Sequence, residues 1–416
     1  MNMQILYVIQ CKNNQQFVGC FYKKGYNKMK NQIIAEVKSI KERLWEINDY
    51  IYHNPELGDE EFKAVEKLTS LLSEHSFKVE IGIENRKTAF KAVYDSNLKG
   101  PVVAFLCEYD ALPGIGHGCG HDMIGTISAG AAIALSKVIG KVGGKIEVYG
   151  TPAEETNGAK IDMARHGVFD NVDVAMMMHP YGKTCKSGPA LAMEALQFEF
   201  TGKSSHAASS PENGINALDA VILMFNGVNA LRQHVTPDVR IHGIISEGGK
   251  AANIVPDKAV AKFYVRAPKK SYLKEVIQKV KNIASGAALM TGASLEISLY
   301  ESPFDDMNTN ENLSESFNEN LRMLGITDIN PPENIGSLDM GNVSYIVPAI
   351  HPLLGIGNPD LDLHTKEMAK ATITEPAHNS LIIGAMALAC TGYDVITSSD
   401  LLSKIKKEFA QSKINI

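Results

Sequence analysis

Three polar clusters in this chain contain residue types that could hold a metal ion, and each cluster follows an apolar run of strand length. The clusters contain Cys119 with His121, Glu154 with Glu155, and His179. The preceding runs are Val102–Cys107, Ile146–Tyr149 and Val172–Met178. Thiolate, imidazole and carboxylate groups are the ligands that Zn²⁺ and similar divalent ions take from proteins. Together the clusters indicate metal-dependent chemistry.

Each cluster has an ordinary structural interpretation when it is taken alone. A Cys-x-His pair in a glycine-rich loop is often part of a turn, and an acidic pair at the end of a strand is usually solvated. Their occurrence on successive strands changes this interpretation, because ligands of open α/β sheets bind outside the carboxyl ends of the strands. The sheet would bring all three clusters to one edge.

The elements around these clusters predict an α/β fold. Strand-length runs alternate with helical patterns, such as Ile124–Val138, up to about residue 189, which favours a mostly parallel central sheet covered by helices. The next stretch has the order strand, helix, strand, strand, helix, strand, which is ferredoxin-like. We therefore predict a larger domain, residues 31–189 and 302–416, with a smaller α+β domain, residues 190–301, inserted into it.

Composition restricts the classes of protein to which the chain could belong. The 416 residues are 44% hydrophobic, and 41 Lys and Arg against 47 Asp and Glu give a net charge of −6. Because a nucleic-acid-binding protein usually has a basic surface, we expect no nucleic-acid partner. The longest apolar runs are far below the roughly 18 residues that a membrane helix needs, so we expect no membrane span.

The cysteines and the first residues bear on cellular location. Six scattered cysteines form no tight framework, which indicates reduced thiols and predicts a cytoplasmic location. Residues 1–30 have no basic segment before their apolar stretch and no cleavage site, so we expect no secretory signal. An amphipathic helical pattern begins just after Met29, and residues 1–30 are therefore a candidate N-terminal extension.

The motifs around the clusters resemble those of the M20 family of di-metal amidohydrolases and exopeptidases. They read Gly118-Cys119-Gly120-His121-Asp122, Thr151-Pro152-Ala153-Glu154-Glu155 and Met178-His179-Pro180. Further matching segments are 202–208, 214–217, 252–257, 337–344 and 363–365, and the resemblance covers about residues 31–395. Cys119, where most relatives carry an aspartate, resembles subfamily D. Within it, the motifs are most similar to the branch of aminobenzoyl-glutamate hydrolases and β-alanyl-lysine dipeptidases.

This resemblance implies a metallo-exopeptidase domain with an inserted lid and dimerisation domain, and therefore a homodimer. It also implies two divalent metal ions, Zn or Mn, with Co as a further candidate. The residues expected to hold them are Cys119, His121, Glu155, His179 and His364. His378 competes for the last place, but the Leu-His-Thr context of His364 matches the family. Two such ions can bind one water between them and lower its pKa.

The resemblance implies roles for four other residues. Glu154 is expected to be the general base, which takes a proton from the bridging water and returns it to the leaving amine. Because neighbouring side chains of extended backbone point to opposite sides, Glu154 should face away from Glu155. His206 should reach the neighbouring subunit's active site and polarise the scissile carbonyl. Asn253 and Arg266 should contact the substrate, and an arginine fork suits a carboxylate.

The predicted function is hydrolysis of the amide bond in a dipeptide or small N-acyl amino acid, by attack of the water between the metals. Two alternatives stay open. One is an aminoacylase with a hydrophobic acyl pocket, and the other is a catalytically silent relative that acts as a binding or regulatory subunit. Loss of Glu154 or of a metal ligand would mark a silent relative, and all of them are present. A Ser-His-Asp hydrolase is disfavoured, because no Gly-x-Ser-x-Gly turn follows a strand.

Overall fold

The computed structural model describes residues 28–332 and 336–413. The helices in this part of the chain are α1 (28–39), α2 (Lys41–His53), α3 (Phe62–Glu74), α4 (His121–Ile139), α5 (Ala159–Arg165), α6 (Ala217–Leu231), α7 (Lys270–Thr291), α8 (Glu311–Met323), α9 (Met340–Ser344), α10 (Lys366–Ala371), α11 (Glu375–Thr397) and α12 (Ser399–Ser412). The strands are β1 (Lys78–Ile81), β2 (Phe90–Asp95), β3 (Val102–Cys107), β4 (Lys145–Gly150), β5 (Val174–Met176), β6 (His179–Tyr181), β7 (Ala192–Thr201), β8 (Arg240–Glu247), β9 (Lys258–Ala267), β10 (Ser294–Leu299), β11 (Ala349–Ile350) and β12 (Leu353–Gly355).

The larger sheet has six strands in the order β1-β2-β4-β3-β5-β11. The pairs β3–β4, β3–β5 and β5–β11 are parallel, whereas β1–β2 and β2–β4 are antiparallel. Strand β3 is apolar along its whole length and buried from its second residue onward, as a central strand covered on both faces must be. The mostly parallel α/β sheet predicted from the sequence is therefore confirmed.

The smaller sheet has four strands in the order β10-β7-β9-β8, and every neighbouring pair is antiparallel. Helices α6 and α7 pack against this sheet and against each other, and together they form a separate apolar core. This is the predicted ferredoxin-like arrangement. The exact limits of the inserted domain, residues 190 and 301, stay a prediction.

Helices α4 and α11 form the centre of the larger unit. By length and composition both are apolar enough to cross a membrane, but 94% of the most apolar window of α4 and 83% of that of α11 are buried inside the protein. The two helices pack against each other and against β3, which accounts for their apolar composition. Helix α4 begins at His121, three residues before the predicted pattern, because its first turn carries polar residues of the loop after β3.

The N-terminal helix α1 joins the larger unit through a buried polar contact. Its Lys30 ammonium group donates hydrogen bonds to Asp394 Oδ2 at 2.8 Å and to Asn320 Oδ1 at 2.7 Å. Burial lowers the pKa of Lys30 to about 8. The candidate extension of residues 1–30 therefore overlaps the folded unit by three residues. Residues 1–27, with Cys11 and Cys20, lie outside the described residues.

Gly150, the last residue of β4, provides a test of how tightly the strand ends are packed. A Cβ at this position would collide with the Phe90 ring and lie 2.6 Å from the Tyr109 hydroxyl. We expect Gly150→Ala to lower the free energy of unfolding by about 1–3 kcal/mol, because an extra methyl group forces buried rings to move. Urea denaturation of the purified protein measures this change.

Gly140→Ala is the matched control, because a Cβ at Gly140 meets no atom within 4 Å. We expect it to leave the free energy of unfolding within about 0.5 kcal/mol of the wild-type value. Equal effects of the two substitutions would contradict the packing described at the end of β4.

Candidate metal centre and substrate pocket

The carboxyl ends of the central strands deliver the predicted metal ligands to one edge of the larger sheet. Cys119 and His121 lie where the loop after β3 enters α4, and the two glutamates lie in the turn after β4. Gly120 separates Cys119 from His121 with a φ of 80°, a left-handed conformation that favours glycine. A Cβ on Gly120 would also collide with Pro180, so glycine allows β6 to approach this loop closely.

All five predicted ligands come together. The donor atoms of Cys119, His121 and His179 lie within 4.8 Å of one another, and so do those of Cys119, Glu155 and His364. Cys119 Sγ is 3.4 Å from His179 Nε2, and His364 Nε2 is 3.3 Å from Glu155 Oε1. Because Cys119 belongs to both groups, its thiolate could be shared by two ions.

The donor atoms pass a test for metal binding that does not depend on the family. His121 Nε2 and Glu155 Oε1 are buried, yet neither has a hydrogen-bond partner. Buried polar atoms normally have such a partner, and an unpaired one requires an explanation. Thiolate, imidazole and carboxylate donors are also the types that Zn²⁺ and related ions bind. The residues present therefore fit two divalent ions.

Hydrogen bonds orient the two buried histidines of the site. His179 Nδ1 is 2.7 Å from the Pro180 carbonyl oxygen, to which it donates, so Nε2 presents its lone pair to the Cys119 side. Burial and the neighbouring rings of His351 and His121 lower the pKa of His179 to about 3, which keeps the ring neutral as a ligand must be. His121 Nδ1 is held by Asp110 Oδ1 at 2.9 Å, which leaves Nε2 for an ion.

Glu154 and Glu155 lie in a turn and not in extended backbone, so the predicted opposition of their side chains is wrong. The donor atoms of His121, Glu154 and Glu155 all lie within 4.8 Å of one another. The turn is fixed by Ala153 at a φ of 60° and by a hydrogen bond from the Glu155 backbone N–H to Asp110 Oδ2 at 3.0 Å. Both carboxylates therefore face the site, and they differ in their partners.

Glu154 is the carboxylate of this pair that stays away from the exposed histidine. Glu154 Oε2 is 4.0 Å from His121 Nε2, whereas Glu155 is paired with His364. Burial, followed by the negative charges of Glu155 and Glu108, raises the pKa of Glu154 well above its ordinary value. A carboxyl with a raised pKa is suited to accept and return a proton near neutral pH.

Beneath the metal ligands lies a buried ionic cluster that sequence reasoning missed. Lys160 Nζ is fully buried and donates to Glu108 Oε1 at 2.6 Å and to Asp339 Oδ1 at 2.7 Å. Burial lowers the pKa of a lysine, but Asp339 and Glu108 outweigh it here and keep the Lys160 pKa above its ordinary value. Glu108 Oε2 in turn lies 3.4 Å from His121 Nε2. Lys160 therefore compensates two of the carboxylates beneath the ligands.

His351 is a further site residue that sequence reasoning missed. It follows β11 directly, lines the same cavity as the metal ligands, and its ring centroid is 5.4 Å from that of His179. Strand β11 has only two residues, too few for an apolar pattern to reveal a strand end. For Glu108, Asp110 and Lys160, the one available signal was their position directly after β3 or in the helix after the two glutamates.

A cavity of about 270 Å³ opens onto the metal ligands. Cys119, Glu154, Glu155 and His364 line one wall. The opposite wall comes from the smaller sheet and the segment that follows it, and its residues are Met193, Tyr264, Arg266, Glu301 and Phe304. The predicted substrate residue Arg266 is thus in the pocket, where its Nε is buried without a hydrogen-bond partner.

His206 and Asn253 do not line this cavity. Both are exposed on the smaller unit, where the Ala207 N–H donates to the Asn253 carbonyl at 3.1 Å and places the two residues side by side. His206 Nδ1 accepts backbone N–H groups of Ala208 and Ser209, each at 3.3 Å. Nε2 of His206 must therefore carry the ring proton, so this exposed atom is a hydrogen-bond donor.

The remaining candidate histidines are elsewhere. His378 Nε2 bonds Asp49 Oδ1 at 2.7 Å, and its ring stacks on Trp45, so His364 and not His378 lies among the ligands. His117 is buried beside a separate cavity near Tyr52 and does not line the metal pocket.

Comparison with known proteins agrees with this geometry. Residues 194–289 match the family model described as the peptidase dimerisation domain of the M20 family. The chain is 35% identical over 397 residues to the mouse (Mus musculus) Xaa-Arg dipeptidase, and the match covers 92% of each chain. It is 30% identical over 454 residues to one of the two subunits of the p-aminobenzoyl-glutamate hydrolase of Escherichia coli K12, covering 90% of this chain and 93% of that relative.

A solved structure shows the same fold. It is a dinuclear metal-binding peptidase of the M20 family from Bacillus subtilis, with a TM-score of 0.65 and 21% identity, covering 86% of this chain and 99% of that chain. At this identity the likeness is evidence for the fold alone. With the two full-length relatives and the matched dimerisation domain, however, the family is shown: the chain belongs to the M20 family of metal-binding peptidases and amidohydrolases.

Proposed function

We propose that the protein hydrolyses the amide bond of a dipeptide or small N-acyl amino acid with a free carboxylate, and that it uses two divalent ions. The observation that carries the proposal is the juxtaposition of five metal donors with Glu154 and, across a cavity of about 270 Å³, Arg266. These are the groups that the attack of water on a carboxylate-bearing amide requires. The complete set also argues against a catalytically silent relative.

Cys119, His121, Glu155, His179 and His364 would hold the two ions, with Cys119 shared between them. When bound, divalent ions lower the pKa of water and polarise a carbonyl oxygen. The thiolate favours soft ions such as Zn²⁺, with Mn²⁺ and Co²⁺ as the other candidates. The pairing of His364 with Glu155 at the open side of the pocket holds both donors in place.

Glu154 would move the proton. It accepts a proton from the attacking water and delivers it to the nitrogen of the leaving amine, so that the amine departs neutral. Burial and the charges of Glu155 and Glu108 keep its pKa high enough for both transfers. The hydrogen bond from Glu155 N–H to Asp110 fixes the turn that carries Glu154, so its position is set before the substrate arrives.

Arg266 would bind the free carboxylate of the amino acid that leaves. Its guanidinium lies in the pocket, 5.7 Å from the Tyr264 ring centroid, and a guanidinium fork matches the two oxygens of a carboxylate. The names of the two relatives support such a leaving group, because one ends on arginine and the other on glutamate. The two names differ in the charge of that amino acid.

A homodimer that pairs through the smaller sheet would complete the site. Strand β8 is at the edge of this sheet and exposes nearly all of its residues, among them Ile244 and Ile245. The match to a dimerisation domain supports pairing through this unit. His206 would then donate its Nε2 hydrogen to the substrate carbonyl oxygen in the partner's pocket. Asn253, beside His206, would contact the same substrate.

We also propose a cytoplasmic location. Cys107, Cys119, Cys185 and Cys390 are unpaired thiols in the described part of the chain, as expected in a reducing compartment. Redox state of the purified protein would not test this proposal, whereas fractionation of the source cells would.

Glu154→Gln tests the proton transfer. The amide cannot accept a proton, so we expect kcat to fall by about 10²–10⁴-fold while metal content stays at the wild-type value. Steady-state kinetics and elemental analysis of the same preparation measure both quantities. Loss of metal from this variant would place Glu154 among the ligands and contradict the assignment.

Cys119→Ala tests the shared ligand. Because Cys119 belongs to both donor groups, we expect its loss to lower metal content and activity together. A thiolate must be deprotonated to bind, so the wild type should also lose metal as the pH falls. Cys107→Ala, at a buried thiol outside the donor groups, is the matched control and should keep its metal. Full metal content and activity in Cys119→Ala would leave the cysteine without a role.

Mixing two inactive variants tests the contribution of His206 from the neighbouring subunit. His206→Ala and Glu154→Gln should each be nearly inactive as pure dimers. In a hybrid dimer one site has intact Glu154 and His206, and the other carries both defects. Random exchange makes half of the dimers hybrids, so activity should recover to at most about a quarter of the wild-type value. No recovery after demonstrated subunit exchange would place His206 outside the partner's site.

A further inference from the structure

The substrate pocket contains a carboxylate that the proposed mechanism does not use. Glu301 lies two residues after β10, where the chain returns from the smaller sheet, and it lines the cavity that holds the metal ligands. Both of its carboxylate oxygens lie 2.7 Å from the Tyr264 hydroxyl, which donates to them. No ion pair joins Glu301 to a Lys, Arg or His of the described residues. Its negative charge is therefore available to a ligand.

Tyr264 holds Glu301 in place beside Arg266. Tyr264 and Arg266 are two residues apart on β9 and so project from the same face of that strand. The Tyr264 ring is packed between Tyr300 and His242, with ring centroids 5.7 and 5.6 Å away. Burial and the hydrogen bond to Glu301 raise the pKa of Tyr264, so its hydroxyl stays a proton donor.

Arg266 and Glu301 are thus a cation and an anion that share a pocket without pairing with each other. Groups arranged in this way complement a ligand that carries a carboxylate and a cation at a fixed spacing. Leaving either charge without a partner in a closed pocket is unfavourable, which adds discrimination against ligands that lack one of the two groups. The pocket is therefore matched to a substrate with both charges.

The position of the two charges relative to the metal donors indicates which part of the substrate carries the cation. If Arg266 binds the free carboxylate, the amino acid that bears this carboxylate lies against β9, and its own side chain is the group nearest to Tyr264 and Glu301. The N-terminal residue lies across the scissile bond, which must face the donors Glu155 and His364 on the opposite wall.

We propose that Glu301, held by Tyr264, binds the cationic side chain of the C-terminal residue, so that the preferred substrates end in lysine, arginine or a similar basic residue. The proposal rests on the proposed function and gives it a substrate class. The shared chemistry is a protonated nitrogen, which a dipeptide could also supply from its N-terminal amine. The test must separate these two sources.

The test compares four substrates with metal-reconstituted protein: Ala-Lys, Ala-norleucine, N-acetyl-lysine and N-acetyl-norleucine. Norleucine matches the aliphatic chain of lysine without the ammonium group, and the acetyl group removes the N-terminal amine. We expect wild-type kcat/KM to favour lysine over norleucine in both pairs. In Glu301→Gln the lysine-to-norleucine ratio should fall by about tenfold or more, because one charged hydrogen bond is lost while Gln still accepts from Tyr264.

Glu296→Gln is the matched control, because Glu296 is a carboxylate on β10 that does not line the pocket. It should keep the wild-type ratio. A measurement that needs no variant is inhibition of the wild type by the two free amino acids, in which lysine should inhibit at a lower concentration than norleucine.

Three results would overturn the assignment of Glu301. One is an equal loss on all four substrates in Glu301→Gln, which would make it a structural residue. Another is a loss confined to the two dipeptides, which would mean that Glu301 binds the N-terminal amine. The third is equal inhibition of the wild type by lysine and norleucine. If the wild type hydrolyses both members of each pair equally, this inference alone fails, whereas hydrolysis of none of the four would contradict the proposed function itself.

Discussion

The structure depends on one electrostatic constraint: the ends of the central strands bury more negative charge than the protein's own cations compensate. Glu108, Asp110, Glu154, Glu155 and Asp339 meet within one region of the larger unit, and Lys160 pairs with two of them. Burial and mutual repulsion keep the pKa of Glu154 well above its ordinary value and raise that of Asp339 to about 6. Uncompensated buried charge is costly, so bound cations would stabilise this region as well as supply its chemistry.

The backbone around the cluster accepts unfavourable conformations in order to hold it. Ala153 and His364 have positive φ values, which cost energy for residues with a Cβ and persist only where the surroundings enforce them. The surroundings here are hydrogen bonds between distant segments: Glu61 accepts from the Ala153 N–H at 2.9 Å, and Asp110 accepts from the Glu155 N–H. The ligand turn is therefore rigid because separate parts of the larger unit fix it.

The sequence allowed prediction of those parts of the site that depend on long strands. Strand β3 is an unbroken apolar run, so the polar residues after it could be assigned to the sheet edge, and Cys119 and His121 followed. Prediction failed where the local backbone departs from regular structure. His351 follows a strand of two residues, and Glu154 lies in a turn where alternation does not apply. Lys160 was missed because its two partners are 52 and 179 residues away in the chain, a pairing that only the fold creates.

The two walls of the pocket are under different physical constraints, and this difference assigns them different tasks. On the metal wall each donor is constrained by its neighbours, since a change at Cys119 alters both donor groups at once. On the other wall Arg266 and Glu301 are fixed by β9 and Tyr264, and neither belongs to a donor group. Substitutions there can change which charge the pocket accepts without disturbing the donors. Substrate choice can therefore vary on this fold while the chemistry of the opposite wall stays the same.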